Sequence, residues 1–161
     1  MNYTLGFIIC EDKVLLIEKQ KPEFQRGFLN GLGGKIEDNE KVEDCIVREV
    51  KEECNMNTIS SDWQHFCTMF GCKESKDNIS DMEYWNVFCF VTTVDYIKFN
   101  TILQTEKEKL QVTSLSAIYT LNNKLLGNIS WLIGMAIDFR ENRAFIPPVI
   151  TYTKLSLPLK F

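Results

Sequence analysis

Glu49, Glu52 and Glu53 crowd into five residues beside Arg48, within a stretch from 33 to 56 in which eight of twenty-four residues are acidic. On a helix, residues three and four apart are surface neighbours, so these carboxylates face one another. Two like charges about 5 Å apart repel by roughly 3 kcal/mol at an effective dielectric near 20. A chain that keeps such a cluster protonates a member, neutralises it with a cationic side chain or binds a cation. Carboxylate oxygens suit a hard divalent ion such as Mg²⁺, which retains waters and accepts phosphate oxygens as further ligands. The plain alternative is a solvated acidic face, neutralised by Arg48 or Lys51.

A helical wheel divides the acids into two groups. With Val42 at zero and about 100° per residue, Ile46 falls at roughly 40°, Val50 at roughly 80° and Cys45 near 300°, defining an apolar face. Glu49 at roughly 340° and Glu53 at roughly 20° land inside that face, and Glu52 at roughly 280° flanks it. Asp44, Arg48 and Lys51 fall on the solvent side, and Glu40, Glu43 and Asp44 read as solvated. The preceding loop, "GLGGK", brings glycines whose bare backbone allows close approach to a ligand. It ends on Lys35, a positive charge for a phosphate.

These groups need a scaffold, and the chain is long enough to bury one. Its 161 residues, 45% hydrophobic and 25% charged, read as one soluble domain spanning 1–161. The net charge of −4, without any basic block, argues against a long nucleic-acid groove and leaves room for a small anionic ligand. The N-terminal run "MNYTLGFIICEDKVLLIEKQ" has no cationic start and is too short and interrupted to span a bilayer, so a cytoplasmic protein is expected. Six scattered cysteines and a single histidine lack the paired spacing of a zinc site; buried free thiols are expected instead. His65, between aromatic neighbours, reads as a strand residue, and no Ser/His/Asp arrangement is apparent.

"YTLGFIIC" and "KVLLIEK" form a predicted hairpin, followed by a glycine-rich loop to Lys35 and a helix over about 40–54. "DWQHFCTMFGC" and "EYWNVFCFVTTV" are strands joined by the polar loop "KESKDNISD", and "KLQVTSL" is a shorter strand. Two helical pieces follow, broken near Gly127-Asn128. The stretch "AFIPPVITYTKLSL" reads as extended edge structure, because Pro147-Pro148 cannot sit in a central strand. Trp85 and Trp131 are expected in the core. The order of strands and helices predicts an α/β (α+β) domain.

Joined to its loop, the acidic helix resembles the Nudix box: G, five residues, E, seven residues, R-E, an apolar residue, any, E-E, any, G, apolar. Gly34, Glu40, Arg48-Glu49, Val50, Glu52-Glu53 and Met56 stand at those positions. Asn55 replaces the glycine that ends the helix. Asparagine is the next best residue for a left-handed helix end, so the replacement should cost little. "LNGLGGKIEDNE" is similar to the W-N-G-F-G-G-K segment of the oxidised-purine nucleoside triphosphatases of MutT type. "YTL", "VLLIEK" and "NVFCF" also look like that subgroup.

The resemblance implies a Nudix fold, a mixed sheet sandwiched between helices. It implies hydrolysis of a nucleoside diphosphate linked to another group, most simply an oxidised purine triphosphate such as 8-oxo-dGTP yielding monophosphate and pyrophosphate. ADP-ribose, a dinucleoside polyphosphate, an RNA 5′ end, or non-catalytic nucleotide sensing are alternatives on the same scaffold. Mg²⁺, or Mn²⁺ in its place, would be held by the Gly33 carbonyl and by Glu49, Glu52 and Glu53. One of these glutamates would orient or deprotonate the attacking water, while Arg48 holds them in place. Thr4, Lys19, Asn30, Gly33, Gly34 and Lys35 match positions lining the nucleotide pocket, with Asn30 facing the base. Gly127-Asn128 stand where the resembled subgroup carries two aspartates, so Asn128 would read the base with a different hydrogen-bonding pattern. A further metal-binding acid often follows the long strands; Glu106 or Glu108 would serve, and "TEKEKLQV" does not say which. The expected partner is a small nucleotide bound by a monomer or homodimer.

Overall fold

The computed structural model describes residues 1–74, 82–105, 108–121, 124–143 and 149–153. The predicted hairpin forms from β1 (Asn2–Cys10) and β2 (Lys13–Glu18), with Ile9 opposite Val14 and Cys10 opposite Lys13. Its two-residue turn takes Glu11 to a φ of 52°, as tight hairpin turns require. β3 (Leu29–Asn30), β4 (Gln64–Glu74), β5 (Met82–Thr93), β6 (Lys109–Ser114) and β7 (Val149–Thr153) complete one seven-stranded sheet. The order is β3-β2-β1-β5-β4-β7, with β6 also pairing β2. β1 runs parallel to β5 and β4 parallel to β7, while the remaining pairs are antiparallel, so the sheet is mixed. β7 lies at the sheet edge, as read from the sequence; Pro147-Pro148 and most of the polar β4–β5 loop (75–81) lie outside the described residues.

Both faces of the sheet are covered, which is why β1 and β2 read as apolar runs. On one face Phe7, Ile9, Val14 and Leu16 pack with Ile129, Leu132, Ile133 and Ala136 of α3 (Ile129–Arg140). On the other, Ile8, Cys10, Leu15 and Ile17 pack with Ile46, Val50 and Cys54 of α1 (Val42–Cys54). Successive strand residues point to opposite faces, so one hairpin serves both cores. The fold is the expected α+β sandwich of helix, mixed sheet and helix. All six cysteines are free, and only Cys72 is not buried.

The acidic helix starts at Val42, two residues later than the predicted boundary near 40. The cause lies in Glu40, whose carboxylate accepts the Glu37 N–H at 2.9 Å and turns back toward Arg48 instead of entering the helix. At the other end Asn55 adopts φ 57° and ψ 13° and donates its N–H to the Lys51 carbonyl, so asparagine does supply the left-handed helix end. The first of the two predicted helical pieces is a 3₁₀ segment, Leu115–Thr120, started by Ser114 accepting the Ala117 N–H. The turn at Gly127-Asn128 then leads into α3. Four short elements escaped the pattern: 3₁₀ turns at Glu23–Gln25, inside the glycine-rich loop, and at Ser60–Asp62, the two-residue β3, and α2 (Tyr96–Phe99) capped by Asp95.

Candidate active site

The glycine loop is where the site is built. β2 pairs only with the C-terminal end of β1, and the loop takes over the other half: Gly6 and Leu32 exchange both backbone hydrogen bonds, and Thr4 N–H donates to Gly34 O at 2.9 Å. Gly33 holds a φ of 134°, and a Cβ there would strike the Thr4 carbonyl, so only glycine serves. A Cβ on Gly34 would collide with the Glu49 carboxylate. The loop is thus pressed between β1 and α1.

Glu49 and Glu53 are buried, 7% and 3% exposed, as their place on the apolar side of the wheel implied. Glu53 Oε2 accepts the Gly33 N–H at 2.8 Å, joining helix to loop. Arg48 Nη1 donates to Glu49 at 2.7 Å and Glu52 at 3.3 Å, while its Nε and Nη2 grip Glu40 at 2.7 and 3.0 Å. Nη2 also donates to the Lys35 carbonyl at 3.1 Å. This corrects the reading of Arg48 and Glu40 as solvent-facing. The Glu40 side chain is only 14% exposed, because the guanidinium folds back across the helix to collect carboxylates from both sides. One cation therefore touches three carboxylates, with Glu53 beside them, and the cluster keeps an excess of negative charge.

The bond from Arg48 holds the Glu40 carboxyl well below its ordinary value of 4.5, at about 2. The stability it contributes is complete above about pH 4.5 and is lost as the pH falls through about 2. The gap in unfolding free energy between the wild type and Glu40→Gln should accordingly be widest above pH 4.5 and close toward pH 2. Urea unfolding at a series of acid pH values checks this, and a gap independent of pH would refute it. Cys45, beneath the same guanidinium, is pushed up to about 11 by burial and fills space as a neutral thiol.

On the far side of the glycine loop lies a cavity of about 930 Å³. Thr4, Lys19, Asn30, Gly33, Gly34, Lys35 and Asn128, all assigned to the pocket from the sequence, line it. Thr4 is buried with its hydroxyl 3.4 Å from the Cys45 thiol, and Asn30 Oδ1 accepts the Gly31 N–H. Asn128 stands at the N-terminus of α3 without capping it; its amide instead points 3.7 Å from Met69 Sδ, within the cavity wall. Lys21 adds a third lysine, and among the described residues no acidic side chain lines the cavity.

Of the two tryptophans expected in the core, Trp131 departs from that placement. Trp131 is 40% exposed and lines the cavity, since it lies about 200° around α3 from the buried Ile129. Trp85 packs partly on the core and also lines the cavity. Phe24, on the 3₁₀ turn that the sequence reading left as loop, is a further wall residue. Its only sequence signal is an apolar side chain flanked by the polar Glu23 and Gln25. Glu108 lies against Lys19 with an N···O distance of 3.0 Å, while Glu106 lies outside the described residues.

Geometry and topology together define a mixed-sheet α+β domain in which an acidic helix and a nucleotide-sized cavity share one glycine wall. The NUDIX domain family matches residues 2–129, and the chain belongs to that family. It is 32% identical over 111 residues to the uncharacterized Nudix hydrolase YvcI of Bacillus subtilis, a match covering 69% of this chain and 64% of that relative. Its fold is similar to that of a MutT protein from Bacillus halodurans, with 19% identity, a TM-score of 0.66 and coverage of 96% and 90% of the two chains. It is equally similar to the NUDIX domain of Shewanella oneidensis NrtR, solved with ADP ribose, at 16% identity, TM-score 0.67 and coverage of 87% and 88%.

Proposed function

We propose that this protein is a divalent-metal-dependent pyrophosphohydrolase that converts a nucleoside triphosphate, with a modified and oxidised purine such as 8-oxo-dGTP as the favoured substrate, to monophosphate and pyrophosphate. One observation carries the reading: Gly33 and Gly34 both line the cavity and both adjoin the acidic cluster, the Gly33 N–H donating to Glu53 and the Glu49 carboxylate lying against Gly34 where a Cβ would stand. A phosphate chain leaving the cavity across this wall meets the acidic cluster directly.

Nudix hydrolases generally use divalent ions such as Mg²⁺. The donor chemistry here fits such an ion: carboxylates from Glu49, Glu52 and Glu53 and the Gly33 carbonyl are hard oxygen ligands in charge excess. Among the described residues, no three acidic, His or Cys side chains already converge on one point, and Arg48 lies between Glu49 and Glu52. Holding a cation would therefore require the guanidinium to keep Glu40 while releasing part of its grip on the other two. A bound ion would supply Lewis-acid charge neutralisation and a more acidic water. The chain's own residues do the rest. Lys19, Lys21 and Lys35 neutralise phosphate, and one buried glutamate accepts the proton of the attacking water. Arg48 fixes the carboxylates, and Asn30 and Asn128 offer both donors and acceptors to a base edge. Trp131 offers that base an aromatic face.

The test is pyrophosphate release by the purified protein with Mg²⁺ across dGTP, 8-oxo-dGTP, 2-oxo-dATP, ADP-ribose and a dinucleoside polyphosphate. Preference for an oxidised purine triphosphate is expected. Cleavage of ADP-ribose or the dinucleotide instead would keep the acidic-helix chemistry and overturn the base-pocket assignment. A folded protein that cleaves nothing on the panel would overturn the triphosphatase reading.

A further inference from the structure

We propose that Glu108 is a positioning residue for Lys19, aiming its ammonium into the nucleotide cavity, and is not a ligand of the metal. The inference rests on the nucleotide-binding reading of the cavity but not on turnover. The β2–β6 ladder ends with Glu18 opposite Lys109, whose side chains approach to 3.4 Å. One step beyond that pair, Lys19 and Glu108 meet at 3.0 Å, with side chains 15% and 10% exposed. This cross-strand ion pair is far better shielded than its neighbour, in which Lys109 is 70% exposed.

Both oxygens of Glu108 are engaged. Oε1 takes the Lys19 ammonium, and Oε2 accepts the Gln20 N–H at 3.1 Å. Glu108 has its charge met one-to-one by an ammonium, with a backbone donor on its other oxygen, and so has less to offer a hard cation than Glu49 and Glu52, which share one guanidinium in charge excess. Lys19 is pinned in turn: its N–H donates to Phe28 O and its carbonyl accepts the Gly27 N–H, both at 2.9 Å. Backbone bonds fix where the Lys19 side chain starts, and Glu108 fixes where its ammonium ends, at the cavity wall. Residues 103–105 are anchored to the acidic helix. Leu103 N–H donates to Cys54 O at 3.0 Å, and Thr105 Oγ1 donates to Glu53 O at 2.9 Å. The Gln104 amide donates to Glu108 O and accepts the Leu110 N–H at 2.8 Å, which ties Glu108 to this anchored stretch.

The test separates phosphate binding from metal binding in the full chain. The affinity for the non-hydrolysable α,β-methylene analogue of dGTP is measured by calorimetry in EDTA, and Mn²⁺ affinity by electron paramagnetic resonance without nucleotide. Glu108→Gln and Lys19→Met should each weaken analogue binding about tenfold, the double variant no further than either, since a shielded pair acts as a unit. The charge-reversed pair Lys19→Glu with Glu108→Lys should stay as weak, because the cation is then rooted on the wrong strand. Mn²⁺ affinity should stay within about twofold in Glu108→Gln. Should that variant fold poorly, Glu108→Asp keeps the charge, and it should weaken analogue binding with the same unchanged Mn²⁺ affinity. A tenfold or larger loss of Mn²⁺ affinity, or additive effects of the two single substitutions, would overturn the assignment. So would absence of any metal-free analogue binding by the wild type. Failure of the substrate panel with this cycle intact would instead remove only the hydrolytic reading.

Discussion

Glu53→Gln is expected to lower the turnover number for pyrophosphate release by at least about a thousandfold, the combined scale of losing a metal carboxylate and a candidate proton acceptor. The change in thermal unfolding temperature should be small. Glu53 is 3% exposed and receives the Gly33 N–H at 2.8 Å, a bond the glutamine carbonyl oxygen can also accept. The substitution thus removes a charge at nearly constant shape, and it relieves repulsion in a cluster where one guanidinium already touches three carboxylates. Turnover measured by pyrophosphate release, alongside calorimetric unfolding, distinguishes the two effects. Activity within tenfold of the wild type would refute the placement of Glu53 at the reaction.

Gly33→Ala is expected to produce the largest loss of stability of any single methyl addition in the loop, about 3 kcal/mol or more. The residue's φ of 134° is strained for any side chain, and its Cβ would meet the carbonyl of Thr4, a backbone atom inside β1 that cannot swing aside. Relief would require the loop to lift from β1, breaking the bond from Thr4 N–H to Gly34 O and moving the Gly33 amide away from Glu53. Urea unfolding reads the stability loss, and an alanine variant within about 1 kcal/mol of the wild type would show that the loop yields more easily than its contacts imply. Gly27 offers a control: its φ of 79° also favours glycine, yet nothing lies within 4 Å of an added Cβ, so the penalty there should be conformational alone.

Periodicity made the burial of Glu49 and Glu53 legible before any coordinates. Carboxylates three and four apart on an otherwise apolar face can be placed by the helical repeat alone. The same local rule located the hairpin, the two long strands and the helix end at Asn55, because each depends on residues adjacent in the chain. Arg48 and Glu40 were misplaced for the complementary reason. A wheel assigns a direction to the Cα–Cβ bond, whereas a guanidinium at the end of a long flexible side chain can fold back over half a turn. Trp131 failed similarly, because an aromatic residue reads as core until the neighbouring surfaces are known.

The amino-acid sequence by itself determined the elements and which carboxylates they carry, since these follow from hydrogen-bond period, capping and apolar spacing over a few residues. Tertiary structure alone decided that Gly33 and Gly34 form one wall between cavity and carboxylates, that Asn128 leaves its helix uncapped to line that cavity, and that Glu108 meets Lys19. Those juxtapositions join distant residues, from 15 apart for Gly34 and Glu49 to 89 apart for Lys19 and Glu108. They arise from strand order and ladder register, which are set by the burial of two apolar faces at once, and no local spacing encodes them.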